Sequence, residues 1–324
     1  MPPSTLAAAA PKHGAAARRS ASPHLGRLGT YLELVRFSHT IFALPFALMA
    51  ALIAFRAEDD SFITTRLFGL RMLGILACMV TARTAAMAFN RLADRTIDAQ
   101  NPRTANRHLP RGDVSPRDVL LLVVASSIGF VAATLLFLPN WLPLVLSLPV
   151  LAWLLGYSFA KRFTSLAHLW LGAALGFAPI AAWIALRGEI VLHDPADLLP
   201  AVILGLAVTT WVAGFDIIYA CQDADFDAAQ GLHSMPARLG VARALARSKW
   251  LHVATLLLLA CLPPAVPALG WIYWAALAAI AALLAWEHAL VRPNDLSKVN
   301  QAFFTANATI GLLLLAAIGL DLWI

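Results

Sequence analysis

Leu67 to Phe89 reads Leu-Phe-Gly-Leu-Arg-Met-Leu-Gly-Ile-Leu-Ala-Cys-Met-Val-Thr-Ala-Arg-Thr-Ala-Ala-Met-Ala-Phe, and it runs without a break into Asn90-Arg-Leu-Ala-Asp94-Arg-Thr-Ile-Asp98. The first part is long enough to cross a bilayer core of about 30 Å, which takes roughly 20 apolar residues in a helix. The second part is acidic. A carboxylate at the bilayer centre costs about 2.5–3.5 kcal/mol even on the insertion scale, so acids repeated at the end of a membrane segment indicate a polar site rather than packing. The pattern recurs at Asp223-Ala-Asp225-Phe-Asp227, again at the end of an apolar run.

The rest of the chain agrees with a membrane protein. It is 60% hydrophobic and 13% charged, about half the charged fraction of a soluble domain, and its mean hydropathy is +0.74. Nine candidate spans follow: Tyr31–Phe55, Leu67–Phe89, Asp118–Leu138, Trp141–Tyr157, Leu166–Leu186, Leu198–Cys221, Trp250–Leu269, Trp271–His288 and Ala302–Trp323. Continuous apolar runs predict helices rather than barrel strands, which alternate polar and apolar residues. The expected fold is an all-α integral membrane bundle.

The net charge of +6 is explained by orientation, so no nucleic-acid partner is expected. With the amino terminus inside and alternating spans, the basic residues gather on one side. They are Lys12, Arg18, Arg19 and Arg27; Arg91, Arg95, Arg103, Arg107, Arg111 and Arg117; Lys161 and Arg162; Arg238, Arg243, Arg247 and Lys249; Arg292 and Lys298. The other side holds mainly Arg56, Arg66 and Arg187. This is the positive-inside bias, and it predicts that both acidic clusters face the cytoplasm, in a bacterial inner membrane. Six arginines in one loop exceed what orientation requires. Cys78, Cys221 and Cys261 are dispersed through the spans and read as small apolar residues, not as a disulfide or metal framework.

Residues 1–28 are rich in Ala, Pro, Ser and basic residues and read as a disordered cytoplasmic tail, without the compact apolar stretch of a signal peptide. Residues 29–324 read as one transmembrane domain. Its two long loops, 90–117 and 222–249, follow spans two and six. Equal spacing suggests two halves, each giving one acidic loop to a shared site, although carriers use internal repeats as well.

On a helix, Asn90, Asp94 and Asp98 form one oxygen-rich stripe with about 6 Å between steps. Asp216, Asp223 and Asp227 share a face in the same way, with Asp216 inside span six, about 16 Å from Asp227; Asp225 points elsewhere. Mg²⁺ takes oxygen ligands, usually one or two carboxylates completed by substrate phosphates and water. Carboxylates gathered at one place repel each other unless cations neutralise them. Arg103, Arg107, Lys161 and Arg162 are candidates for the oxyanions of a polyanionic ligand. The competing readings are solvated helix ends with local ion pairs, and a hydrogen-bonded structural role for the intramembrane Asp216. Tyr219 lies near the same face, as a phenol for the site or as an interfacial aromatic.

These motifs resemble the UbiA family of intramembrane aromatic prenyltransferases. The resemblance lies in Asn90-x-x-x-Asp94-x-x-x-Asp98 followed by Asn101-Pro-Arg103-Thr-Ala-Asn-Arg107-His-Leu-Pro110, and in the later Asp223-x-x-x-Asp227. Arg36-Phe-Ser-His39-Thr-Ile-Phe-Ala-Leu-Pro45-Phe, Tyr157-Ser-Phe-Ala-Lys161-Arg162 and Gly231-Leu-His-Ser-Met-Pro-Ala-Arg238-Leu-Gly240 are similar to the family as well. The resemblance implies a helical bundle open laterally to lipid, with two Mg²⁺ ions at the acidic motifs. It implies transfer of a polyprenyl chain from an allylic polyprenyl diphosphate to an aromatic acid, in quinone biosynthesis. By position, Asn90, Asp94, Asp98, Asp223 and Asp227 would hold metal and diphosphate, and Tyr157, Lys161 and Arg36 would handle the diphosphate. Asp216 would orient an acceptor hydroxyl. The branch it resembles is 4-hydroxybenzoate polyprenyltransferase-like. His233, where many 4-hydroxybenzoate enzymes have Lys, and His39 depart from the family pattern and open 1,4-dihydroxy-6-naphthoate as an alternative acceptor. A membrane carrier for an anionic or phosphorylated ligand is the alternative of another class.

Overall fold

The computed structural model describes residues 26–35, 44–57, 65–301 and 306–324, and these are almost wholly helical. Helices α1 (Gly26–Leu34) and α2 (Leu44–Arg56) contain the described parts of the first expected span. α3 (Thr65–Ala93) is the second, and beyond a bend at Asp94 it continues as the short α4 (Arg95–Gln100). α5 (Pro116–Thr134), α6 (Leu142–Ala160) and α7 (Ala167–His193) follow. α8 (Leu199–Ala220) leads through another bend at Asp223 into the short α9 (Ala224–Ala229) and then α10 (Met235–Leu239). The chain ends with α11 (Val241–Ala260), α12 (Leu262–Ala265), α13 (Trp271–Leu290), α14 (Val299–Gln301) and α15 (Asn307–Trp323).

Seven of the described helices are long and apolar enough to cross a membrane, and α2 and α15 are shorter apolar helices. The first and last of the nine expected spans run into residues outside the description. So do residues 1–25 of the expected tail, while Gly26 already opens α1.

The helix starts follow local chemistry. Ser115 accepts a hydrogen bond from the Asp118 N–H at 3.1 Å, Pro116 occupies the first turn and Asp118 sits in it. This is a capped start with an acid at the positive end of the helix dipole. α6 and α8 also carry proline in their first turn, where the lost N–H costs nothing.

α8 is the axis of the bundle. Leu204, Trp211, Ile217 and Ile218 on it are fully buried. α7 crosses it at backbone contact, because glycines replace side chains at the crossing. A Cβ at Gly172 would lie 2.2 Å from the Thr209 carbonyl oxygen, and one at Gly176 would lie 2.4 Å from that of Gly205. Such small-residue crossings hold membrane helices by close packing. Gly172→Val is therefore expected to lower stability by about 1–3 kcal/mol or more, the cost of overpacking. A thermal unfolding midpoint in detergent checks this, and an unchanged midpoint would contradict the crossing.

The outer surface is what lipid requires. Leu121, Ile128 and Leu148 are 66%, 64% and 65% exposed, on helices that pass through the apolar layer. Trp141, Trp271 and Trp323 are exposed at the end away from the acidic motifs, as in an interfacial aromatic belt.

The two acidic ends are built alike. Asp94 has φ −96°, ψ 8°, and Asp223 has φ −107°, ψ 7°. Each bends a long helix into a six-residue one. The second acid of each pair, Asp98 and Asp227, is buried on that short helix. The paired loops anticipated from spacing thus share a local backbone design.

Candidate active site

The two bends meet at one polar cavity of about 180 Å³. Asn90, Asp94 and Asp98 line it from α3 and α4, and Asp216, Asp223 and Asp227 from α8 and α9. Tyr157, Lys161 and Arg162 reach it from the end of α6, and Arg103 and Arg107 from the loop after α4. Every candidate residue within the description therefore lies on one cavity. Arg36 and His39 lie outside the described residues. Asp225 is exposed and does not line the cavity, as its position on the helix predicts.

The first stripe survives the bend at Asp94. The Asp94 N–H bonds to the Asn90 carbonyl at 3.0 Å and the Asp98 N–H to the Asp94 carbonyl at 2.7 Å, so helical spacing continues. The Asn90 amide donates to Asp94 Oδ2 at 3.1 Å. Asp98 accepts from Arg107 at 2.6 Å, Asp94 accepts from Arg162 at 3.2 Å, and Asp223 is paired with Arg103 through Nε and Nη2, one edge of the guanidinium. Asn101 also donates to Asp223 Oδ1 at 3.1 Å. The arginines expected to meet ligand oxyanions thus meet the carboxylates, which satisfies the mutual repulsion of the acids from within the chain.

Charge and burial compete at each pair. Burial pushes the Asp94 carboxyl above the ordinary carboxylate range, with the Arg162 hydrogen bond opposing it and the neighbouring charge of Asp98 adding to it. Burial works against the charge of Arg103, and the hydrogen bond to Asp223 outweighs it, so its pKa rises. Arg103 also stacks its guanidinium 5.1 Å from the Tyr219 ring centroid and donates to the Tyr219 hydroxyl at 3.0 Å. Of the two readings of Tyr219, the geometry takes the phenol as part of the site.

Asp227 differs from the other acids. Its Oδ2 is buried with no hydrogen-bond partner. An unpaired buried carboxylate oxygen is costly, and a hard cation is the partner its chemistry fits. Among the described residues, no three His, Cys, Asp or Glu side chains form a ready-made metal cluster. Mg²⁺ ordinarily takes one or two carboxylates and completes its shell with substrate oxygens and water. The residues present fit that ion.

Three contributors escaped the sequence reading. Arg91, counted there only among the basic residues of one side, is buried at 6% exposure, lines the cavity and donates to the Leu34 carbonyl at 3.5 Å. Asn101 buttresses Asp223. His168 on α7 is fully buried and meets Asp216 Oδ2 through Nδ1 at 2.6 Å. The first two lie inside quoted motifs. A single histidine at the start of an apolar span carries no signal of its partner.

Known proteins resemble this chain in sequence and fold. The 4-hydroxybenzoate octaprenyltransferase of Methylobacillus flagellatus is 33% identical over 242 residues, 74% of this chain and 77% of that protein. The apo structure of a UbiA homolog from Aeropyrum pernix K1 superposes with a TM-score of 0.76 at 36% identity, over 88% of this chain and 98% of the other. A UbiA homolog from Archaeoglobus fulgidus, bound to DMAPP and Mg²⁺, has a TM-score of 0.61 at 18% identity, over 90% and 99% of the two chains; it shares the fold. The model of the UbiA prenyltransferase family matches residues 43–309. With helices that cross the membrane, two acidic bends on one cavity and a family match over most of its length, this chain belongs to the UbiA prenyltransferase family.

Proposed function

We propose that this prenyltransferase transfers a polyprenyl group, with Mg²⁺, from an allylic polyprenyl diphosphate to 4-hydroxybenzoate or a close aromatic acid, in quinone biosynthesis. The observation that carries the reading is the cavity itself, where carboxylates from both halves face arginines and a lysine, with Asp227 Oδ2 left unpaired. The curated relative's 4-hydroxybenzoate activity supports the acceptor class. The carrier alternative has no comparable support.

Asn90, Asp94, Asp98, Asp223 and Asp227 would hold Mg²⁺. Five donors exceed what one such ion ordinarily takes from protein and fit two. When bound, the metal supplies Lewis-acid stabilisation of the departing diphosphate. The chain's own residues do the rest. Lys161, Arg103, Arg107 and Arg162 bind phosphate oxygens, the arginines exchanging a carboxylate partner for the ligand. Tyr157, which lines the same cavity, contributes a hydroxyl to that end, and Arg36 is assigned there by its motif. The apolar bundle excludes water from the reacting allylic carbon. Asp216 lies deeper than the other acids, about 10 Å along α8 from Asp223 at the usual helical rise, where the acceptor ring would sit. The positive-inside pattern supports an inner-membrane protein with the cavity facing the cytoplasm.

His233 favours a second acceptor, 1,4-dihydroxy-6-naphthoate. Its backbone N–H donates to the Lys161 carbonyl at 2.7 Å, so the residue that departs from the hydroxybenzoate pattern is tied at the backbone to a residue that lines the cavity. Membranes containing the protein, given a polyprenyl diphosphate, Mg²⁺ and both acids in competition, decide by product mass. The expected result is a prenylated hydroxybenzoate as the major product. A prenylated naphthoate moves the enzyme to the other acceptor, and no prenylated aromatic product sinks both.

A further inference from the structure

We propose that His168 is a positioning residue that fixes Asp216 as the hydrogen-bond acceptor for the ring hydroxyl of the aromatic substrate. The inference rests on the aromatic-acceptor reading and adds a residue that no motif contains. His168 lies at the start of α7, with 0% exposure, and joins three elements. Its Nδ1 is 2.6 Å from Asp216 Oδ2 on α8, and its Nε2 receives the Met235 N–H of α10 at 3.2 Å.

The Met235 contact decides the tautomer. Met235 opens α10, and Ser234 at its N-cap makes no side-chain capping bond. Helix starts leave N–H groups that need partners, and His168 Nε2 is the partner here. A nitrogen that accepts cannot carry a proton, so the ring proton resides on Nδ1 and the imidazole is neutral. The contact with Asp216 is then a hydrogen bond donated by His168 rather than an ion pair. It occupies Oδ2 and fixes the rotation of the carboxylate. Oδ1 is left for a ligand in the cavity that Asp216 lines.

A carboxylate held in this way has only acceptor capacity. It matches a hydroxyl and fails against an ether, which has no hydrogen to give. A site built to bond a substrate hydroxyl discriminates strongly against the analogue without it, because its own polar group is left unpaired.

The test compares 4-hydroxybenzoate, 4-methoxybenzoate and 4-aminobenzoate, the last of which keeps a donor, in the wild type and five variants. His168→Ala is expected to reduce the preference for hydroxyl over methoxyl by about 10- to 100-fold, the range of one lost hydrogen bond to a charged group, with the donor KM unchanged. His168→Asn, which keeps a donor near the Nδ1 position, should restore most of the preference. His168→Leu fills the ring's volume without a donor and gives the same readout if the alanine variant does not fold. His168→Ala combined with Asp216→Asn should lose no more than Asp216→Asn alone, since coupled residues are not additive. Wild-type discrimination in His168→Ala or His168→Leu, or additive losses, would overturn the role. A wild type that prenylates no hydroxyaromatic acid overturns the acceptor reading first and takes this inference with it.

Discussion

Asp227→Asn is expected to reduce prenyl transfer by about 10³-fold or more, while the protein still inserts and folds. The magnitude follows from removing charge stabilisation at a departing diphosphate, where loss of a single preorganised group typically costs 10²–10³-fold and loss of a metal ligand removes more of it. The fold should tolerate the change because asparagine has nearly the same shape and Asp227 Oδ2 holds no hydrogen bond that the change would break. Asp94→Asn should also inactivate, with a small loss of stability, since it weakens a partly exposed pair with Arg162. Asp225→Asn is the control. That side chain is exposed, two residues from Asp227 and off the cavity, and its activity should stay within about twofold, as for surface changes in general. Product formation over a Mg²⁺ titration, with an unfolding midpoint for each variant, separates these outcomes. Full activity in Asp227→Asn would remove it from the ligand set.

Much of this site was legible because helical periodicity is strict. Spacings of four and seven fix which side chains share a face, so the sequence alone groups Asn90, Asp94 and Asp98 and excludes Asp225. The bends at Asp94 and Asp223 were not legible. Neither a glycine nor a proline marks them; the backbone turns there because each long helix passes into a short one. The pairing of Arg103 with Asp223, 120 residues apart, depends on how the two halves dock, which no local pattern encodes. His168 illustrates the same limit from the other side. Its function comes from Asp216 and Met235, both distant in sequence. The span count was readable where a helix is continuous and apolar, as at α5 or α13. At Tyr31–Phe55 and Ala302–Trp323 it extends beyond the described residues.

Lys161→Ala is expected to raise the KM for the polyprenyl diphosphate by about 10- to 100-fold and to leave the aromatic acceptor's KM near the wild-type value. Three of the four arginines that line the cavity each hold a carboxylate, Arg103 with Asp223, Arg107 with Asp98 and Arg162 with Asp94. Lys161 is in none of these pairs and faces the same cavity. A diphosphate must separate an arginine from its carboxylate but can meet Lys161 directly. A compact ammonium suits a phosphate as a point charge. Its position is well held, because the Lys161 carbonyl accepts the His233 N–H at 2.7 Å, which ties the end of α6 to the loop after the second acidic bend. The backbone tie does not depend on the side chain, so Lys161→Ala should keep its fold. Binding lost equally from ground and transition states appears in KM rather than kcat, which is the signature expected for a residue that captures the donor. Lys161→Arg should recover part of the donor affinity, since it keeps the charge without the compact shape. Initial rates with each substrate varied in turn test this directly, and an unchanged dependence on the diphosphate in Lys161→Ala would assign donor capture to the arginines.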